Sequence, residues 1–334
     1  MSQVQIKKSG VIGELLLCNA KTLNALTHED IKALTAGLSQ HEADPSIRAI
    51  IIRSTNTKAF CAGGDMKQIR EHVLAEQFSK IHDFFTDEYA LNLAISRCSK
   101  PYIALMHGIA MGGGLGVSVH GSARVVTESS VLAMPESRIG FFPDVGASYF
   151  LPRLTQRAGY WLGLTALPIK GHQAVSVGLA THYIDSERLD ALQSALADAL
   201  NVNNKGSADE WHHTVNQTLD TFSAQAPDDD FDNTLQQREN WFADDDLSAI
   251  RHRLSSDAQQ GNDDARHLLN LLDTGSPHAT RITVQLLRDT KGHDLQSCLQ
   301  MELKLGAVAI QHPDCSEGIR AVLVDKDRKP VWQT

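Results

Sequence analysis

Ala110-Met-Gly-Gly-Gly-Leu-Gly116 decides how this chain is read. Three consecutive glycines open the apolar run Leu115-Gly-Val-Ser-Val119. Glycine has no side chain to shield its backbone N–H. Such a run suits a place where a ligand approaches the main chain, or where a helix begins with its donors exposed. Downstream, Met134-Pro-Glu136 and Phe142-Pro-Asp144 put two carboxylates on a Pro-bounded segment with few other charges. A backbone anion site and a carboxylate pair are the equipment of acyl chemistry. The glycines hold an oxyanion and the carboxylates move protons.

Outward from the triplet, strands and helices alternate. Pro101-Tyr-Ile-Ala-Leu-Met-His107 reads as a strand feeding it. Arg48-Ala-Ile-Ile-Ile-Arg53 is a short β-branched run, read as a buried strand, and Val11-Ile-Gly-Glu-Leu-Leu-Leu17 is another. Phe60-Cys-Ala-Gly-Gly-Asp65 forms a second glycine turn, with a helix after Met66 and another over about 78–97. Thr27 is a good N-cap, Glu29 and Asp30 suit the first helical turn, and Ile31, Leu34 and Leu38 give that helix one apolar face. Two more strands fall at Ala123-Arg-Val-Val-Thr127 and Ser130-Val-Leu-Ala133. The first half is therefore an α/β core with its site at strand-to-helix turns.

From about Ala158 the pattern turns helical. Gln173 to Ala180 reads as a small-residue helix, and Ser276-Pro277 starts a helix with Ser as cap and Pro in the first turn. Two closing helices are expected over about 277–288 and 294–311, with a final amphipathic element over 317–324. The stretch from about 188 to 270 is polar and acidic and reads as an irregular helical insert on the surface. The division expected is 1–190 as core, 191–272 as insert and 273–334 as C-terminal helices packing on the core.

Composition narrows the function. A chain of 334 residues with 42% hydrophobic and 21% charged residues has room for a large core. The net charge of −9 argues against a nucleic-acid binder, which needs a basic stripe. No run of about 18 apolar residues predicts a membrane span. The start lacks a signal-peptide apolar region, and the five cysteines are widely spaced with no C-x-x-C. A reducing, cytoplasmic setting is expected.

Rival motifs fail on single positions. A dinucleotide loop started at Gly112 would need glycine where Val117 stands, and no phosphate-binding P-loop or H-E-x-x-H occurs. A nucleophile elbow around Ser118 is spoiled by His120, so Ser118 reads as a packed helix residue. Cys61 has no His beside it in sequence to activate a thiol. Acids at 228–232 and 244–246 lack the spacing of a calcium loop, and the 15 histidines form no metal pattern. Read locally, Glu136 and Asp144 also suit turn caps. Glu88, one helical turn before Asn92, also suits a surface helix. Apolar neighbours around Glu136 favour a partly desolvated acid/base group.

Asn24-Ala-Leu26, Phe60-Cys-Ala-Gly-Gly-Asp65 and Gly108-Ile-Ala-Met-Gly-Gly-Gly114 are similar to three signatures of the crotonase (enoyl-CoA hydratase/isomerase) superfamily. The resemblance implies a crotonase-like spiral of ββα units with a C-terminal helical module, binding acyl-CoA thioesters. The text at 133–136, 140–146, 149–153, 178–182 and 317–327 resembles the superfamily's thioester-hydrolase branch. It covers nearly the whole chain, with 190–270 matching loosely. By motif position the resemblance implies that Gly64 and Gly113 supply the oxyanion N–H groups. Glu136 and Asp144 would be the catalytic carboxylates. Glu88, Gly113, Gly63 and Asp65 would border the substrate, with Lys21 a candidate for the coenzyme A phosphates. Hydratases of the superfamily carry a glutamate where Gly116 stands and usually glycine where Asp144 stands. The implied reaction is hydrolysis of a short β-hydroxyacyl-CoA, with 3-hydroxyisobutyryl-CoA, a valine catabolite, as first expectation. Coenzyme A is then part of the substrate, and neither cofactor nor metal is expected. An enoyl-CoA hydratase/isomerase and a non-catalytic acyl-CoA-binding protein are the alternatives. Crotonase relatives often trimerise through C-terminal helices, so a homo-oligomer is open.

Overall fold

The computed structural model describes residues 2–202, 206–227 and 229–333. The strands are β1 (Val4–Ser9), β2 (Ile12–Leu17), β3 (Ala49–Ser54), β4 (Ala59–Cys61), β5 (Tyr102–Met106), β6 (Ile109–Met111), β7 (Ala123–Val126), β8 (Val131–Ala133), β9 (Ile169–Lys170) and β10 (His182–Tyr183). The helices are α1 (His28–Ala43), α2 (Met66–Leu74), α3 (Phe78–Ser96), α4 (Gly113–Val119), α5 (Ala147–Phe150), α6 (Ala158–Thr165), α7 (Gly171–Ser176) and α8 (Leu189–Val202). They continue with α9 (Ala208–Phe222), α10 (Phe231–Trp241), α11 (Leu247–Gln259), α12 (Asp263–Thr274), α13 (Pro277–Asp289), α14 (Leu295–Ala309) and α15 (Pro313–Ile319). None among the described residues is long and apolar enough to cross a membrane. The chain gathers into two units: Met1–Gly64, Asp87–Leu132 and Ile169–Asp228 form the first, and Asp65–Thr86, Ala133–Pro168 and Asp229–Thr334 the second.

The first unit is built on the apolar runs of the N-terminal half. Its larger sheet has the order β1-β2-β3-β5-β7-β10. β1 and β2 are antiparallel and the rest pair in parallel. Parallel strands covered on both faces need continuous apolar runs, and Ala49 to Ile52 are buried without interruption. A smaller sheet has the order β4-β6-β8-β9. α1 starts at a capping box: Thr27 accepts from the Asp30 N–H, and Asp30 accepts from the Thr27 N–H at 3.0 Å.

The stretch expected as an irregular helical insert carries the helices α8 to α12 among the described residues. Leu192, Leu196 and Leu200 of α8, with Val215 and Leu219 of α9, pack on Ile51, Ile103, Leu105 and Val125 of the sheet. Polar composition hid a helical stripe of leucines at spacings of four. The small-residue helix is shorter than read: α7 ends at Ser176, and Gly178 at φ +83° turns the chain.

The second unit is helical. α6 is buried all round, with Tyr160 and Trp161 at its centre. Phe141 and Phe142 stack at 4.5 Å, and Phe85 stacks on Phe141 at 5.7 Å. α13 begins as read, with the Ser276 hydroxyl accepting from the Ala279 N–H at 3.0 Å and donating to the buried Asp314. The 244–246 acids are caps and ion pairs. Asp246 accepts from the Ala249 N–H at 2.8 Å, Asp245 pairs with Arg157 and Lys291, and Asp244 pairs with Arg253. Asp228 of the other acidic run lies outside the described residues.

Candidate active site

In the first unit the two glycine turns come together. A Cβ built on Gly113 would lie 3.1 Å from the Gly64 nitrogen, and one built on Gly63 would lie 3.6 Å from the Gly113 nitrogen. A side chain at Gly113 would press on the Glu88 carboxylate and crowd the Gly64 nitrogen. Gly63 has φ +108° and Gly112 φ +49°, backbone that glycine adopts without strain. β4 and β6 pair in parallel just before these turns and fix their spacing. The Leu26 N–H donates to the Gly63 carbonyl at 2.8 Å, and the Ala62 N–H to the Leu23 carbonyl at 3.0 Å, which pin the first turn. Asn24 holds it further, donating to the Phe60 carbonyl at 2.8 Å. As first residue of α4, Gly113 has an N–H with no acceptor inside the helix.

Glu88 joins this group. Its Oε1 lies 2.6 Å from the position of a Cβ at Gly113, and its side chain is buried. A surface role for Glu88 is thereby set aside. Asn92 follows one turn later on the same helical face and is fully buried. Its amide oxygen and nitrogen find no hydrogen-bond partner among the described residues.

Lys21 is exposed on the short turn Ala20–Thr22 of the same unit. Cys61 is fully buried, donates to the Asn24 carbonyl at 3.1 Å, and its thiol is pushed up to about 12 by burial. It cannot supply thiolate at neutral pH. Ser118 is buried in α4 with its hydroxyl on the Gly114 carbonyl at 2.8 Å, a packed helix residue as read.

The second unit holds the two other carboxylates. Glu136 opens the tight turn Glu136–Ile139 and Asp144 follows the Phe141-Phe142 stack; each is 6% exposed. Gly140 closes the Glu136 turn at φ +71°, where its backbone meets that of Asp314 so closely that a Cβ would sit 2.2 Å from the Asp314 oxygen. Asp65 is the N-cap of α2 and accepts from the Gln68 N–H at 3.2 Å.

One carboxylate went unremarked in the sequence. Glu302 is fully buried on α14 and accepts from the Gly146 N–H at 2.7 Å, the Ser148 N–H at 2.9 Å and the Ser148 hydroxyl at 2.5 Å. Burial, reinforced by the charge of Asp144 and opposed by these hydrogen bonds, raises its pKa to about 8. The signal was a lone acid at a core position of a helix whose neighbours Cys298, Leu299 and Gly306 are buried.

A profile described as Enoyl-CoA hydratase/isomerase matches residues 12–334. Mitochondrial 3-hydroxyisobutyryl-CoA hydrolase of Homo sapiens is 40% identical over 334 residues, covering 99% of this chain and 84% of that protein. The Bos taurus protein of that name is 39% identical over 337 residues, with the same coverage. Among solved structures, a carnitinyl-CoA dehydratase from Mycobacterium thermoresistibile superposes with a TM-score of 0.88 at 31% identity, covering 99% of this chain and 91% of that one. An enoyl-CoA hydratase from Rhodobacter sphaeroides 2.4.1 gives 0.88 at 30% identity, covering 100% and 93%.

Proposed function

The chain belongs to the enoyl-CoA hydratase/isomerase family, and from that premise we propose that it hydrolyses a short β-hydroxyacyl-CoA thioester. The first substrate is 3-hydroxyisobutyryl-CoA, giving 3-hydroxyisobutyrate and coenzyme A. The observation that carries the reading is a pair of positions. Gly116, where the superfamily's hydratases carry a glutamate, is buried in α4 without a side chain, whereas Asp144 is a buried carboxylate. The human and bovine relatives, named 3-hydroxyisobutyryl-CoA hydrolase, support the same choice.

In this reading the Gly64 and Gly113 N–H groups hold the thioester oxygen as it becomes an oxyanion. One such donor is worth about 3 kcal/mol of barrier. Glu136 delivers the attack, as base toward water or as nucleophile toward the carbonyl carbon. Asp144 positions the water or passes the proton. The C–S bond breaks, sulfur leaves as coenzyme A, and the acyl carbon keeps the hydroxyl oxygen. Glu88 bonds the substrate hydroxyl or orients the carboxylate pair. Gly63 and Asp65 border the acyl group, and Lys21 meets a coenzyme A phosphate. The developing charge is met by backbone dipoles, so the proposal assigns no cofactor or metal. Five free cysteines suit a reducing compartment, here taken as the cytoplasm; the curated relatives are themselves named mitochondrial.

The test is a panel of acyl-CoA esters scored with a thiol reagent. Release of free coenzyme A from 3-hydroxyisobutyryl-CoA, above all other esters, is expected. A second reading, enoyl-CoA hydratase, is favoured by the superposing Rhodobacter sphaeroides enoyl-CoA hydratase. It predicts loss of enoyl absorbance from crotonyl-CoA with no thiol released.

A further inference from the structure

Asp144 stands at the head of an unusual turn. The next residue, Val145, has φ +53°, and Gly146 follows at φ +84°. A β-branched residue in the left-handed region is a backbone outlier, kept only where its surroundings impose it. Local bonds include the Ala147 N–H donating to the Asp144 carbonyl at 2.9 Å and the Tyr149 and Phe150 N–H groups donating to the Gly146 carbonyl at 2.9 and 3.1 Å. None of these ties the turn to the rest of the unit.

Glu302 does. It accepts from both the Gly146 and the Ser148 N–H, two residues apart, and from the Ser148 hydroxyl. Thr290 of α13 adds one bond, its hydroxyl donating to the Ser148 carbonyl at 3.0 Å. All these side chains are fully buried. An apolar residue at 302 would fill space at less cost than a carboxyl group, but would strand two buried N–H donors. We infer that Glu302 is the positioning residue for Asp144, fastening the strained turn 144–148 so that the Asp144 carboxylate is held in one place. The inference rests on the hydrolase reading given above.

Among the described residues, Asp144 from the turn and Cys298 from its own helix are titratable groups that interact with Glu302. Ionisation of Glu302 adds a negative charge beside Asp144, so the state of one is felt by the other.

The experiment uses the full-length protein and Glu302→Gln, with thermal melting as a check on folding. The amide cannot accept from both backbone donors and does not titrate. The expected result is a fall of about ten- to a hundred-fold in kcat, as for a misplaced catalytic group. KM for 3-hydroxyisobutyryl-CoA stays within about two-fold. The alkaline limb of the wild-type pH–rate profile is flattened in the variant. Unchanged kcat and pH profile, with only a lower melting temperature, would overturn the inference and leave Glu302 a packing residue. If Glu302→Gln does not fold, Ser148→Ala decides. It removes one of the three donors, so a smaller fall in kcat at unchanged KM supports the inference and an unchanged kcat overturns it. Wild-type protein that releases no coenzyme A defeats the hydrolase reading and this inference together. An active wild type beside an unaltered Glu302→Gln defeats this inference alone.

Discussion

Glu88 Oε1 lies 2.6 Å from where the Cβ of any residue other than glycine would stand at position 113, and the Gly64 nitrogen lies 3.1 Å from the same point. A side chain there meets a carboxylate that can move and a backbone that cannot. Gly113→Ala should therefore displace Glu88 rather than unfold the unit. The expected outcome is a loss of about ten-fold or more in kcat/KM with a melting temperature within a few degrees of wild type. Combining it with Glu88→Ala should cost less than the sum of the two, because the residues share one contact.

Glu136→Gln and Asp144→Asn keep the shape of each side chain and remove its charge. Each should lower the rate of coenzyme A release by about two to four orders of magnitude. Affinity for a non-hydrolysable acyl-CoA analogue, measured by calorimetry, should stay nearly unchanged. Wild-type turnover in either variant would remove that carboxylate from the mechanism.

Heavy-oxygen water separates the two routes open to Glu136. In a single turnover, general-base attack puts the label directly into the acid product. Nucleophilic attack forms a mixed anhydride, and water that opens it at the Glu136 carbonyl leaves the label in the protein and an unlabelled oxygen in the product. Label found in the protein by mass spectrometry therefore establishes the anhydride route.

Glu302 predicts a pH dependence of stability with a definite sign. Its pKa is raised from an ordinary value near 4.5 to about 8 by burial. A raised acid contributes stability that is fully present below its unfolded pKa and is lost as pH rises through its folded pKa. The difference in unfolding free energy between wild type and Glu302→Gln should decline between about pH 4.5 and 8 and level off above. Urea unfolding across that range measures it; a flat difference would mean that Glu302 is ionised throughout.

Gly140→Ala tests the turn that carries Glu136. At φ +71°, with a Cβ 2.2 Å from the Asp314 backbone oxygen, the added methyl has no flexible neighbour to displace. A loss of more than about 3 kcal/mol in unfolding free energy is expected, read by chemical denaturation.

The sheet of the first unit was legible because its strands are buried on both faces and spell continuous β-branched runs such as Ala49 to Ile52. α1 and α13 were legible from Thr27 and Ser276, caps whose side chains do what their chemistry suggests. β1, mostly exposed with two lysines in it, gave no such run and was missed. The leucines of α8 and α9 were masked by the charge around them. Among the candidate site residues, the proximity of Gly64, Gly113 and Glu88 was legible from the glycine turns and the family resemblance. Glu302 was not, because its partners Gly146 and Ser148 lie far from it in sequence, and only folding joins them.

The most direct measurement is thiol release from 3-hydroxyisobutyryl-CoA by the wild-type protein, run beside crotonyl-CoA and the Asp144→Asn variant. The account predicts stoichiometric free coenzyme A from the hydroxy ester with wild type, release slower by about two to four orders of magnitude with the variant, and no hydration of crotonyl-CoA. Rapid loss of the enoyl absorbance with no thiol released from either ester would contradict it.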